Sequence, residues 1–145
     1  MAEAVQTYKN HTRYYPPFHF VVMPILFLNF LNTIRHVYNT PNRSTAFAAV
    51  VAFGLVLLAL ACRLMVNKVQ DRVIRLEMQL RLARVLPGDL QSRVASLRPS
   101  QYVALRFASD EELPALVREV CEGRLDKPRD IKERVKNWQA DWLRA

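Results

Sequence analysis

The chain has 145 residues, a mass of 16.8 kDa, a formal net charge of +8 and a pI near 10.0. That length suits one domain, or one membrane unit plus one small soluble unit. The two cysteines, Cys62 and Cys121, exclude a disulfide framework and fit no metal-binding spacing. Mean hydropathy is close to zero, but the average hides an asymmetry. Apolar residues concentrate before position 66, whereas residues 63–145 hold 17 basic and 12 acidic side chains. A basic balance of this kind points to nucleic acid or an anionic lipid surface. In a membrane protein it points to cytoplasmic flanks that obey the positive-inside rule.

Residues 1–16 form a polar N-terminal segment, too long and polar to open a cleavable signal peptide, so the apolar segment after it is expected to stay as an anchor. Tyr8, Tyr14, Tyr15, Phe18 and Phe20 cluster where an interfacial aromatic belt would lie. From Arg13 to Arg35 the chain carries no formal charge for 21 residues, and from Arg43 to Arg63 none for 19. At about 1.5 Å per residue each run spans roughly 28–32 Å, the thickness of a bilayer core. The spacing predicts transmembrane helices over 17–37 and 44–65, joined by a short periplasmic loop at 38–43. In the first, Pro24 removes a backbone hydrogen bond and should kink the helix. Asn29 and Asn32 share a face; amides in lipid prefer to meet another helix, so they are expected at the contact with the second span. On the second span, Ala48, Ala52 and Gly54 would allow close approach. Thr40-Pro41-Asn42 reads as a turn and Ser44 as the helix cap.

No breaker separates the second span from RLMVNKVQDRVIRLEMQLRLARVL, so residues 66–86 are expected to continue it as a basic amphipathic helix that ends at Pro87-Gly88. Leu55, Ala59, Cys62, Val66, Val69, Val73, Leu76, Leu80 and Ala83 recur in alternating steps of four and three, the pattern of a coiled-coil seam. Two partners fit it: a second copy of the chain, or the helices that follow. Met65, Ile74, Leu82, Val85 and Leu86 widen the stripe and favour packing within the chain. Asp71–Arg75 and Glu77–Arg81 would form i,i+4 pairs on the polar side. Arg63, Lys68 and Arg72, close to the end of the second span, would meet lipid headgroups, and together with Arg75 and Arg81 they place both termini in the cytoplasm.

Residues 87–145 show no strand-like alternation and are expected to form a helical cytoplasmic domain. Helices are predicted over Asp89–Leu97 and Ser100–Phe107. A third would be capped by a Ser109/Glu112 capping box and ended by Gly123, and a last one would run from Pro128 to Leu143 with Ile131, Val135, Trp138 and Trp142 on one stripe. KPRDIKERVKNWQADW mixes basic and aromatic residues, but acidic residues interrupt it and both tryptophans sit on the apolar stripe; nucleic acid is therefore not the expected partner.

No residues with nucleophile–base or metal-ligand spacing converge, so neither catalysis nor a cofactor is expected. His11, His19 and His36 read as interfacial histidines. The expected fold is an all-α membrane protein: a two-helix transmembrane hairpin whose second span continues into a long cytoplasmic helix and a small helical tail domain. Its expected role is that of an accessory or scaffold subunit, with another membrane protein or a second copy as partner. The alternative is a membrane-tethered regulator whose basic helices bind nucleic acid or anionic lipid.

The segments QTYKNHTRYYPPFHFVVMPILFLN, KVQDRVIRLEMQLRLARVLP, ALRFASDEELPALV and IKERVKNWQADWLR resemble an uncharacterised bacterial family of small two-span membrane proteins, a domain of unknown function. The resemblance implies a bacterial inner-membrane location and assigns no activity, cofactor or binding residue.

Overall fold

In the computed structural model, residues 6–8, 10 and 14–141 are described. His11, Arg13, Trp142 and Leu143, all invoked above, lie outside the described residues. The described elements are helical throughout, with no strand among them and one isolated antiparallel bridge, between Ala108 and Trp138. The chain divides into two compact units, one over Tyr14–Asn67 and one that joins the N-terminal segment to the residues from Lys68 onward.

The first unit opens with a π-helical stretch, Pro17–Val22, which passes into helix α1, Met23–Asn39. The π-helical stretch ends two residues before Pro24, with the Met23 N–H after it donating to Phe18 O. Proline has no N–H and its ring crowds the carbonyl four residues back, here Phe20. A wider turn at that point relieves the clash, so the perturbation expected at Pro24 takes the form of a π-helical entry. The turn at Thr40–Asn42 reverses the chain into helix α2, Arg43–Val85. Asn42 caps it, not Ser44: Asn42 Oδ1 accepts from the Thr45 N–H at 2.9 Å, and the Thr45 hydroxyl accepts from the Asn42 N–H at 3.1 Å. This reciprocal pair satisfies two backbone donors at the turn.

Half-buried positions mark one stripe on each arm of this unit. On α1 they are Met23, Leu26, Phe30, Thr33 and Val37; on α2 they are Thr45, Ala49, Val56 and Ala59, with Ala52 fully buried. Phe30 stacks on Phe53 across the hairpin, with ring centroids 5.4 Å apart.

In the second unit, α2 is followed by three short helices: α3 (Gly88–Gln91), α4 (Pro99–Leu105) and α5 (Leu113–Cys121). A fourth, α6 (Pro128–Arg134), and a 3-10 turn at Val94–Ser96 complete it. One core holds them. Ile74, Met78 and Leu82 enter it from α2 and Leu86 from just past its end; Tyr102 and Leu105 from α4; Leu113 and Val117 from α5; and Ile131 from α6. Burying each of these large apolar side chains contributes about 1.5–3 kcal/mol.

Three expectations about this unit are corrected. The helix expected over Asp89–Leu97 is instead α3 followed by the 3-10 turn, because the chain curls so that the Val94 carbonyl accepts the Tyr102 hydroxyl at 2.7 Å. The helix expected to start at Ser109 starts at Leu113, with Pro114 in its first turn. Glu112 is not free to close a capping box, since its carboxylate accepts the backbone N–H groups of Lys136 (3.2 Å) and Asn137 (3.1 Å). Those same bonds hold the backbone after Val135 out of the helical ladder, so α6 stops at Arg134 rather than running to Leu143. Gly123 ends α5 as expected. At φ 76° it permits a Schellman motif, in which the Arg124 N–H donates to Glu119 O at 3.0 Å and the Gly123 N–H to Val120 O at 3.1 Å.

The covered stripe on α2 gives a direct expectation. Leu82 is 0% exposed and Leu80 is 77% exposed. Leu82→Asp should place a charge in the core and make residues 87–141 protease-sensitive, whereas Leu80→Asp should leave their protease resistance unchanged. Limited proteolysis of both variants in mild detergent reads the difference; similar digestion of the two would put the covered face elsewhere.

Candidate functional site

The segment ALRFASDEELPALV wraps around one arginine of α2. Arg81 donates from Nε to Asp110 Oδ1 at 2.6 Å, from Nη2 to Ala108 O at 2.8 Å and from Nη1 to Arg106 O at 3.2 Å. Its side chain is 16% exposed. The planar fork suits this task, since one guanidinium satisfies two carbonyls and a carboxylate that the α4–α5 connection leaves without helical partners. The expected Glu77–Arg81 pair is therefore not the bond Arg81 makes. Arg75 likewise lies over the Tyr102 ring, 5.9 Å from its centroid, rather than beside Asp71.

A second guanidinium lies next to the first. Arg106 donates from Nε to Asp141 Oδ2 at 2.8 Å and from Nη1 to Val103 O at 2.7 Å, and sits 4.0 Å from the Phe107 ring centroid. The Asp141 N–H in turn donates to Oε1 of the buried Gln6 at 2.8 Å, which ties the N-terminal segment to the end of the chain. Trp138 stacks on Phe107 with centroids 4.7 Å apart, and the Gln139 N–H donates to Phe107 O at 2.8 Å. Trp138 is thus part of the packing, as its apolar position implied, but it arrives on an extended segment.

Chemically, this arrangement is a clasp. Asp110, Glu112, Asp126 and Asp141 accept from arginines or backbone amides. Exposed Glu133 is held below the usual carboxylate range chiefly by its hydrogen bond from Arg129. Among the described residues, no three His, Cys, Asp or Glu side chains come together as metal ligands. In the other unit, His19 Nδ1 lies 3.1 Å from the Tyr15 backbone N, and Tyr14 and Phe18 meet the ring edge-on.

The residues singled out from sequence fall as follows. Asn29 and Asn32 are exposed on α1, off the half-buried stripe, and do not hold the hairpin together. Ala52 is buried, Ala48 is exposed, and a Cβ added to Gly54 would meet nothing within 4 Å. Close approach therefore depends on Ala52 and not on Gly54. Val69, Val73, Leu76 and Leu80 are 60%, 48%, 62% and 77% exposed. In-chain packing, favoured above for that seam, occurs instead on the nearly opposite stripe of Ile74, Met78, Leu82 and Leu86. Arg63 is half-buried, while Lys68 and Arg72 are exposed. Sequence reasoning missed Arg81, Arg106 and the long-range role of Glu112. The one available signal was the run Asp110-Glu111-Glu112, more acid than a single helix start needs.

Arg81→Ala should destabilise the helical unit by about 2–4 kcal/mol, because two carbonyls lose a charged donor in a largely buried setting. Arg81→Lys should recover only part of this, since an ammonium cannot span the same three acceptors. Chemical unfolding followed by Trp fluorescence measures both; full recovery by lysine would reduce the clasp to a simple charge.

No curated protein and no solved structure matches the chain. One family model does, over residues 1–145, and with that match spanning the whole sequence the chain belongs to the family of unknown function DUF6526.

Proposed function

We propose that this chain is a non-enzymatic integral membrane protein that serves as an accessory or scaffold subunit of a bacterial inner-membrane assembly and associates with itself. The observation that carries the membrane part is the bareness of its apolar helices. Pro17–Asn39 and Arg43–Val85 are long and apolar enough to cross a bilayer, and almost none of their apolar windows is buried within the chain. The core helix of a water-soluble protein would be covered. Here Ile25, Phe27, Leu28, Phe47, Val50 and Leu58 point outward. Hydrocarbon is the solvent in which such a surface costs nothing.

In this reading the spans are 17–37 and 44–65, and the loop at 38–43 faces the periplasm. Arg63, Lys68 and Arg72 meet anionic headgroups at about 1 kcal/mol each and set both termini in the cytoplasm. The helical unit is then the cytoplasmic module. Nucleic acid is disfavoured as its ligand because Arg81, Arg93, Arg98, Arg106, Arg118 and Arg134 donate to, or pair with, carbonyls and carboxylates of the chain itself.

Reporter fusions at residue 5 and residue 145 should both give cytoplasmic signals, and the full chain should remain in the membrane pellet after alkaline carbonate extraction. A periplasmic signal from either end, or release by carbonate, would overturn this reading.

A further inference from the structure

Helix α2 carries two apolar stripes after Lys68, and the described residues cover only one. At about 100° per residue, Ile74, Met78, Leu82 and Leu86 centre on one side of the helix, and Val69, Val73, Leu76, Leu80 and Ala83 on nearly the opposite side. The first set is in the core at 7%, 3%, 0% and 4% exposure; the second is bare. The bare set steps four, three, four, three, the 3.5-residue period of a helix packed along another helix. Written as a heptad, Val73 and Leu80 take a positions and Val69, Leu76 and Ala83 take d positions. A β-branched residue at a with leucine at the next d favours a two-stranded parallel arrangement.

The flanking charges match a second copy of the same helix. In a parallel pair, each g position faces the e position five residues later on the partner. Arg72 is at g and Glu77 is the e residue five positions on. Both are exposed, and neither has an ion-pair partner among the described residues. The self-pairing therefore makes two Arg72–Glu77 bridges, one on each side of the seam. The remaining flanking positions after Lys68, Gln70, Gln79 and Arg84, bring no like-charge contact.

We infer that the Val69–Ala83 face of α2 is the site at which two copies of this chain pair as a parallel coiled coil. The inference deepens the self-association reading above and takes its parallel sense from the membrane reading, because copies anchored in one bilayer enter the cytoplasm in the same direction. The tail packs on the opposite side of the helix, so pairing and tail packing do not compete.

The test uses the full chain in native membranes, with Cys62 and Cys121 changed to Ser. Val73→Cys and Leu80→Cys, introduced singly, should form disulfide-linked dimers under mild oxidation, because an a position faces its own copy only in a parallel pair. Arg75→Cys, off the seam, should not. Added to Val73→Cys, Arg72→Glu should lower the dimer yield roughly fivefold by setting carboxylates against Glu77, Glu77→Arg should do likewise, and the two charge changes together should restore it. Four outcomes overturn the proposal: no crosslink at 73 or 80, equal crosslinking at 75, crosslinking insensitive to the charge swap, or a seam cysteine captured by a different protein. Carbonate extraction of the same samples separates the two readings. Charge-dependent crosslinking of a protein that leaves the membrane would retain the dimer and remove the membrane.

Discussion

Helix α2 is the element on which the rest depends, and its continuity follows from what it lacks. Between Arg43 and Val85 there is no proline, and Gly54 is its one glycine. The backbone ladder therefore has no point at which to stop until Leu86-Pro87, where proline's restriction on the preceding residue ends it. A helix this long cannot bury itself; each stretch must find its own surroundings. The Tyr14–Asn67 unit supplies a hairpin partner along Ala52 and its half-buried neighbours. The second unit supplies a core for Ile74 through Leu86.

The second unit is small, and its helices run only four to nine residues, well below the length at which a helix is stable alone. Tertiary bonds must therefore define its ends. Arg81 closes the α4–α5 connection, Glu112 closes the chain after α6, and Gly123 turns it after α5. Arg98 and Gln101 both reach Asp126, which draws the α5–α6 connection onto the start of α4. The arginine-rich composition that raises the pI is in good part this bonding. A basic sequence is then compatible with arginines that are largely occupied within the chain, as Arg81, Arg98 and Arg106 are.

What could be read from the sequence divides along the same line. The two long apolar helices were legible because some twenty residues without a charge leave an apolar run that only a long helix carries in one piece. Gly123 was legible because a positive φ is nearly reserved for glycine. Ser44, Ser109 and Glu112 were misread because capping motifs are local patterns, and in each case another bond won: Asn42 with Thr45 in the turn, and Glu112 with amides 24 and 25 residues away. Asn29 and Asn32 were misread because polarity in an apolar run says that a partner is desirable, not that the neighbouring helix is that partner. Trp138 was placed correctly against the core by its apolar spacing from Ile131 and Val135, although the backbone that delivers it is extended.

The seam on α2 was the hardest to read, and the reason is geometric. One helix sequence held two apolar patterns at once, and the wider stripe was taken as a single surface. Their spacings differ in what they can pack against. Ile74, Met78, Leu82 and Leu86 step by four, forming a ridge inclined about 26° to the helix axis. A short element can cross such a ridge and cover it with one or two turns, which is all that α4 and α5 have to offer. Val69 through Ala83 alternate four and three and run nearly along the axis, drifting only about 20° per heptad. Covering that line needs a partner as long as the line itself, and the tail helices α3 to α6 run only four to nine residues against its fifteen. In the pairing proposed above, the partner of sufficient length is the same helix of a second copy, with Arg72 and Glu77 spaced to meet it.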